Sequence, residues 1–368
     1  MTGLLALLLA GCTTFVPLDP VALAKLEPLL GELLLVGFDG TEGDGNAELD
    51  ALVCEARVGG VLLFGRNVVD AAQVRRLTTA IRTRASACRR SAAPLVAVDA
   101  EGGRVMRLAP RAGYVPTPSA QEMADENDVA LTELEARRIG RMLREAGIGW
   151  DLAPVVDVGY NPANPVIVGA GRSYGATPAA VVAHARAFLR GLHAEGVLGA
   201  LKHFPGHGSS WADSHVGFVD VTATADHDLE LLPYRVLIGE RIVDAVMTAH
   251  VFNRRLDRRY PATLSYATIT QLLRRDIGWD GAVVSDDLRM GAIEQHWGLA
   301  EAVVLALEAG VDVLLIAEDR LADGRSAAQV ARTAIRGALA EGRLSTGRVL
   351  EALGRVDALK RRAARLGR

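Results

Sequence analysis

The amino-acid sequence predicts an α/β chain folded as one (β/α)8 barrel of the TIM type, a single domain with a C-terminal helix. Three observations carry this expectation. Eight apolar runs of strand length recur along the 368 residues, segments with helical spacing separate them, and charged residues or histidines stand where most of the runs end. The runs are rich in Val and Leu and do not alternate with polar residues. That is the pattern of parallel strands buried on both faces beneath helices. Eight strand–helix units close a barrel of about 250 residues or more as one domain.

Taken in order, the chain opens on MTGLLALLLAGC. Its apolar run, Leu4 to Ala10, is far shorter than the about 20 residues that cross a bilayer. It has the length of a signal-peptide core. The ending Leu9-Ala10-Gly11-Cys12 resembles the bacterial lipoprotein cleavage box, in which the cysteine carries lipid. Residues 1–12 are therefore expected to be a lipoprotein signal peptide, with Cys12 anchoring the chain in the cell envelope. No Lys or Arg precedes Lys25, so an ordinary apolar N-terminus on a cytoplasmic chain is the competing reading. Residues 13–30 are expected to form a tether, 31–343 the barrel, and 344–368 an amphipathic helix packed on it.

The eight runs are Leu33–Phe38, Gly60–Phe64, Leu95–Val98, Trp150–Val156, Ala200–Phe204, Ala245–His250, Ala282–Ser285 and Val311–Ile316. Helical spacing is clearest over Ala71–Ser86, Asp128–Ala146, Ala179–Gly196 and Leu299–Ala309, with a further helix near Leu229–Val243. The last stretch carries Val349, Leu350, Leu353, Val356, Leu359 and Leu366 on one stripe. Arg348, Arg355, Lys360, Arg361 and Arg362 are expected on its solvated face.

Composition excludes some partners. The formal net charge is -3, and a chain without a basic excess is not expected to bind nucleic acid. A monomer is expected. Of the three cysteines, Cys54 and Cys88 have no neighbours at zinc-ligand spacing. They either pair in an oxidising compartment or remain two buried thiols on helices.

In such barrels chemistry sits at the C-terminal ends of the strands. The sequence places there Asp39, Arg66, Asp99, Glu101, Arg104, Arg107, Asp157, Arg172, Lys202, His203, His250, Asp286, Asp287, Glu318 and Asp319. Several have plain structural readings: Asp157 holding a loop backbone, His250 as a satisfied core histidine, Asp287 supporting a neighbour.

KHFPGHGSSWADSH, residues 202–215, concentrates three histidines, an aspartate and a lysine. His203 and His207 have H-x3-H spacing, but Pro205 and Gly206 between them preclude a helix that would put both rings on one face. No metal site is expected. Gly-His-Gly with Lys202 lacks the P-loop pattern, so phosphate binding is poorly supported. Proton transfer fits better. Asp213 and His215 are two apart, and in an extended segment their side chains point the same way. A carboxylate beside an imidazole fixes its tautomer, and imidazole exchanges protons near neutral pH. The glycines and serines of the loop are expected to give it freedom to bring His215 over a substrate. Facing it, a strand-end carboxylate, Asp286 or Asp287, completes a site suited to double-displacement glycoside hydrolysis, with a histidine replacing one of the usual two carboxyl groups.

KHFPGHGSSWADSH together with DAEGGRVMR, GRSYG, MTAH and SDDLRM resembles glycoside hydrolase family 3 in its single-domain β-N-acetylhexosaminidase branch. The resemblance covers roughly Leu33 to Asp319. It implies Asp286 as the nucleophile, His215 as the general acid/base and Asp213 as its partner. It also implies that Asp99, Arg107, Arg172, Lys202 and His203 hold a terminal N-acetylglucosamine, with no metal or organic cofactor. The family usually has Gln where Ala100 stands, and GAGRSYG and VGFVD are less common forms, which bears on the preferred leaving group. The implied activity is retaining exo-hydrolysis of β-N-acetylglucosaminides, peptidoglycan-type fragments among them. Three other functions compete: a phosphorylase using the same site, a barrel aldolase or lyase with Lys202 as Schiff base, and a silent sugar-binding lipoprotein.

Overall fold

The computed structural model describes residues 19–367. The expected signal peptide, Cys12 and the first part of the expected tether lie outside the described residues.

Eight parallel strands form the barrel: β1 (Leu34–Gly37), β2 (Gly60–Leu63), β3 (Leu95–Val98), β4 (Trp150–Asp151), β5 (Ala200–Phe204), β6 (Ala245–Thr248), β7 (Ala282–Val284) and β8 (Leu314–Ile316). Regular pairing gives two arcs, β8-β1-β2-β3-β4 and β7-β6-β5. Single parallel bridges close the ring, Trp150 to Leu198 and Val155 to Lys202 between β4 and β5, and Val284 to Val313 between β7 and β8. Strands β1, β2, β5 and β6 are buried at every residue, which is why they read as unbroken apolar runs.

One run is shorter than its sequence suggests. Trp150–Val156 was expected as a continuous strand, yet only Trp150–Asp151 pairs regularly. Pro154 has no N–H to give a ladder, and the chain rejoins the barrel only at Val155. The helix expected near Leu229–Val243 is likewise two pieces, His227–Glu230 and Leu232–Gly239. Pro233, in the first turn of the second piece, has no N–H to give back to the preceding turn. Elsewhere the expected helices appear as Ala71–Ala87, Val129–Glu145, Pro178–Ala194 and Gly291–Ala309.

The described part of the expected tether is not extended chain. Pro20–Leu26 is an α-helix capped by the Asp19 side chain, and it runs into a 3-10 segment, Glu27–Leu33. Leu23, Leu26 and Leu30 are buried. Their three- and four-residue spacing is that of one helical face.

The C-terminal helix, Thr346–Leu366, buries Val349, Ala352, Val356 and Leu359, while Leu350 is exposed. Four of the five named basic residues correct the expectation of a solvated face, while Arg361, paired with Asp357, stays exposed. Arg348 reaches the fully buried Asp312 (2.6 Å), where Arg274 (2.6 Å) and Arg355 (3.4 Å) also converge. Lys360 pairs with Glu32 and Arg362 with Asp244. The helix is thus bolted by ion pairs to the N-terminal end of the barrel. Removing one member of such a buried cluster strands the others. Asp312→Ala is expected to destabilise the fold by about 3–5 kcal/mol, read from the urea midpoint by circular dichroism.

Cys54 and Cys88 form a disulfide, with Cα atoms 5.5 Å apart and a sequence separation of 34. Both are half-buried, so the reading as two buried free thiols is set aside. The bond closes the first two barrel units onto each other. Cys88→Ser, or reduction, is expected to lower unfolding free energy by about 2–4 kcal/mol, the range for a loop of this length. Thermal unfolding with and without reductant checks it.

Candidate active site

The strand-end residues meet over the C-terminal mouth of the barrel. A cavity of about 270 Å³ is lined there by Asp99, Glu101, Arg107, Arg172, Lys202, His203, His215, Asp286 and Asp287, with an apolar floor that includes Leu62, Leu152, Met247 and Leu315. Of the catalytic and sugar-holding residues that the resemblance implies, all but Asp213 line it. Asp213 stands behind His215.

Asp286 follows β7. Its carboxylate accepts the Asp287 main-chain N–H at 2.8 Å. Burial alone would raise its pKa, but the imidazoles of His250, His203 and His215 outweigh that and hold it below the ordinary carboxylate value. Asp287 differs. Its Oδ1 accepts the N–H groups of Arg289 (3.1 Å) and Ala317 (3.0 Å), tying the β7 loop to the end of β8. Burial, with the Asp286 charge adding to it, pushes Asp287 up to about 6. Of the two acids the spacing left open, Asp286 is the one whose pKa is lowered and whose carboxylate is free of such a clamp. His250 is buried, with Nδ1 against Thr263 Oγ1 and Nε2 against the Asp287 carbonyl, both at 2.8 Å. It is a satisfied core histidine that also holds the Asp287 backbone.

Asp213 and His215 do form a pair, though not by extended-chain alternation. Residues 214–216 make a turn, and Asp213 Oδ1 accepts both the His215 main-chain N–H (2.8 Å) and its Nδ1–H (2.6 Å). That leaves Nε2 as the ring atom able to exchange a proton with a ligand. The His215 hydrogen bonds hold Asp213 below its ordinary pKa against the opposing effect of burial.

The glycines and serines ahead of this pair were expected to free the loop. Instead Gly206 to Ser210 are all buried. A Cβ on Gly208 would lie 1.9 Å from the Val158 carbonyl, so glycine is needed there for close approach. Asn164 donates to the His207 carbonyl (2.7 Å) and Asn161 to that of Ser210 (2.9 Å). His207 bonds Ser210 Oγ (2.8 Å) and Ser214 Oγ (3.1 Å), and burial pushes its pKa down to about 4, so it is a neutral brace. Only the tip, around Trp211 and His215 to Phe218, reaches solvent.

On the other side of the cavity the charges are interlocked. Lys202 lies between Asp99 (2.9 Å) and Glu101 (2.6 Å), and Arg172 makes a two-pronged pair with Glu101, both bonds 2.8 Å. Arg107 reaches Asp99 at 3.4 Å. Burial works against the Lys202 ammonium, but the two carboxylates outweigh it and raise its pKa. A lysine held charged is a poor Schiff-base nucleophile, which counts against the aldolase reading. His203 donates Nδ1–H to the fully buried Asp157 at 2.6 Å, and its Nε2 faces Arg172 at 3.4 Å. Asp157 also accepts the main-chain N–H groups of His203 (3.3 Å) and His207 (2.7 Å), as a loop-holding residue would.

Glu101 stands among the strand-end residues of the sequence without a role of its own, and the structure puts it in the cavity wall. Its signal was present in the sequence: Arg172 and Lys202 placed at strand ends need a buried counter-charge, and Glu101 was the acid beside Asp99. Asp39 and Arg66, by contrast, pair with each other at 2.9 Å, and Asp319 caps the helix Ala327–Ala340. Arg104 bonds the Gly169 carbonyl. None of these four lines the cavity, nor does Glu318. Ala100, buried, also lies outside the lining.

Ion pairing holds the carboxyls of Asp99, Glu101 and Asp157 below their unfolded values despite burial. Such groups add stability that is complete above the unfolded pKa, near 4, and is lost as pH falls through the folded value. Acid unfolding is therefore expected below about pH 4. An unfolding midpoint above pH 5 by circular dichroism would contradict it.

Residues 25–359 match the profile described as Glycosyl hydrolase family 3 N terminal domain. A relative named beta-hexosaminidase from Alkalilimnicola ehrlichii is 37% identical over 294 residues, 78% of this chain and 81% of that protein. Beta-hexosaminidase A of Pseudoalteromonas piscicida is 35% identical over 285 residues, 73% of this chain but only 47% of that one. Among solved structures, a family 3 beta-N-acetylglucosaminidase from Paenibacillus superposes with a TM-score of 0.86 at 38% identity, covering 92% of this chain and 62% of that one. This chain therefore spans about half to two thirds of those last two relatives. With the barrel fold and the profile in agreement over nearly its whole length, the chain belongs to glycosyl hydrolase family 3.

Proposed function

We propose that the protein is a retaining exo-β-N-acetylhexosaminidase that removes terminal β-linked N-acetylglucosamine from peptidoglycan-type fragments. One observation supports this above the rest: Asp286, held ionised, and His215, backed by Asp213, line one cavity of single-sugar size. The names of the relatives point the same way.

In the first step the Asp286 carboxylate attacks the anomeric carbon while His215 gives its Nε2 proton to the departing glycosidic oxygen. The bond to the leaving group breaks as an ester to Asp286 forms. In the second step neutral His215 takes a proton from water, whose oxygen attacks the anomeric carbon and releases Asp286. Asp213 stabilises the imidazolium each time. Asp99, Arg107, Lys202, Arg172 and His203 surround the ring and supply polar partners for its hydroxyl and acetamido groups. The interlocked pairs among them hold those partners in place before substrate arrives.

The disulfide Cys54–Cys88 supports an oxidising location, in keeping with an envelope enzyme that would meet cell-wall fragments. The test is turnover of an aryl N-acetyl-β-glucosaminide with and without added phosphate. Release of free N-acetylglucosamine without phosphate is the expected result. A strict phosphate requirement would assign phosphorolysis instead, and no turnover in either condition would end the proposal.

A further inference from the structure

A buried acid beneath the His215 loop has no part in the chemistry above. Glu230 ends the short helix His227–Glu230 and is 2% exposed. Gly206 sits against it, at φ +144°, and a Cβ there would come within 2.7 Å of the Glu230 side chain. The first turn of the loop thus rests directly on this carboxyl group. Ser209, three residues on, is its other neighbour. Ser209 Oγ and Glu230 Oε1 are both buried without a well-formed hydrogen bond.

We infer that Glu230 is a positioning residue for the acid/base loop: as a neutral acid it supports the Gly206–Ser210 segment, and its ionisation withdraws the loop that carries Asp213 and His215. The inference rests on the proposed role of that loop.

The groups around Glu230 explain the coupling. Tyr160 and Asp157 face it from the chain after β4, with His207 behind Asp157 on the loop itself and Tyr234 on the following helix. Burial, with the Asp157 charge adding to it, pushes Glu230 up to about 8. The Tyr160 hydroxyl has a single proton, and the Thr224 carbonyl competes for it at 3.2 Å. A carboxylate accepts hydrogen bonds but donates none, and the donors near it, the Tyr160 hydroxyl and the hydroxyl and main-chain N–H of Ser209, do not offset burial beside the Asp157 charge. Water can provide further donors only where the Gly206–Ser210 segment lifts away.

The experiment has two readouts. Trp211, 68% exposed on the same loop, reports loop position by fluorescence, with Trp211→Phe subtracting the other tryptophans. The wild-type protein is expected to show a transition near pH 8 that is absent in Glu230→Gln. A wild-type titration flat from pH 6 to pH 10 overturns the inference, whether or not the variant folds. The second readout is kcat on an aryl glycoside whose leaving group needs no acid. Wild type is expected to lose about tenfold between pH 7 and pH 9, as one ionisation near 8 dictates, and Glu230→Gln less than twofold. Superimposable profiles also overturn it. Absence of turnover with the fluorescence transition intact would instead overturn the proposed activity and leave the Glu230 support standing.

Discussion

Asp286→Asn is expected to cut turnover of an aryl N-acetyl-β-glucosaminide by on the order of 10^4-fold or more, the scale of losing a group that bonds to the substrate. Binding of N-acetylglucosamine should survive, because the interlocked Asp99, Glu101, Lys202 and Arg172 cluster does not depend on Asp286. The amide keeps the shape of the carboxylate and can still accept the Asp287 N–H. What it lacks is the charge that His250, His203 and His215 sustain. Asp287→Asn is the internal control. Asp287 ties Ala317 and Arg289 to β7, so its loss should lower thermal stability before it lowers the chemical step. The comparison is made by kcat and by ligand titration on each variant.

His215→Ala is the second large effect, and its size should depend on the leaving group. A positioned general acid contributes about 10^2–10^4-fold, and that whole factor applies where the departing oxygen is a poor leaving group, as in a sugar. An activated aryl glycoside needs no proton for its departure, so formation of the ester should be nearly unaffected and the remaining loss should fall on the hydrolytic step. Asp213→Asn should behave as a weaker version, since the Nδ1 and main-chain bonds it accepts hold the ring in place. Equal losses on both substrate types would count against an acid role for His215. A series of leaving groups of graded pKa gives the answer as the slope of log kcat/KM.

Some of this was readable in advance because the physics is local. Strands β3 and β5 matched their apolar runs to the residue, Leu95–Val98 and Ala200–Phe204, since burial on both faces leaves an uninterrupted signature. Asp213 and His215 are near in sequence, so their pairing is visible there, but the backbone that makes it is not. A turn, not an extended segment, brings them together. The glycines of the same loop suggest freedom in the sequence but serve close approach in the fold, as Gly208 against the Val158 carbonyl shows.

What stayed hidden depends on partners remote in sequence. The basic residues of the C-terminal helix read as solvated because their only local partners, Glu351 and Asp357, are themselves exposed. Their carboxylates, Asp312, Asp244 and Glu32, belong to the far side of the chain, Lys360 and Glu32 being 328 residues apart. Glu101 has no role of its own in the sequence for a related reason, its partner Arg172 lying 71 residues on. A buried charge calls for a counter-charge, but the sequence alone does not say which arginine or lysine is buried.

The most direct measurement is mass spectrometry of the protein incubated with a fluorinated N-acetylglucosamine-type glycoside that forms its enzyme ester faster than the ester hydrolyses. With Asp286 as nucleophile, the protein gains the mass of one glycosyl residue, and peptide mapping places it on Asp286. A glycosyl group on Asp287 or Glu101, or turnover to the inverted sugar anomer with no covalent adduct at any time, would contradict it.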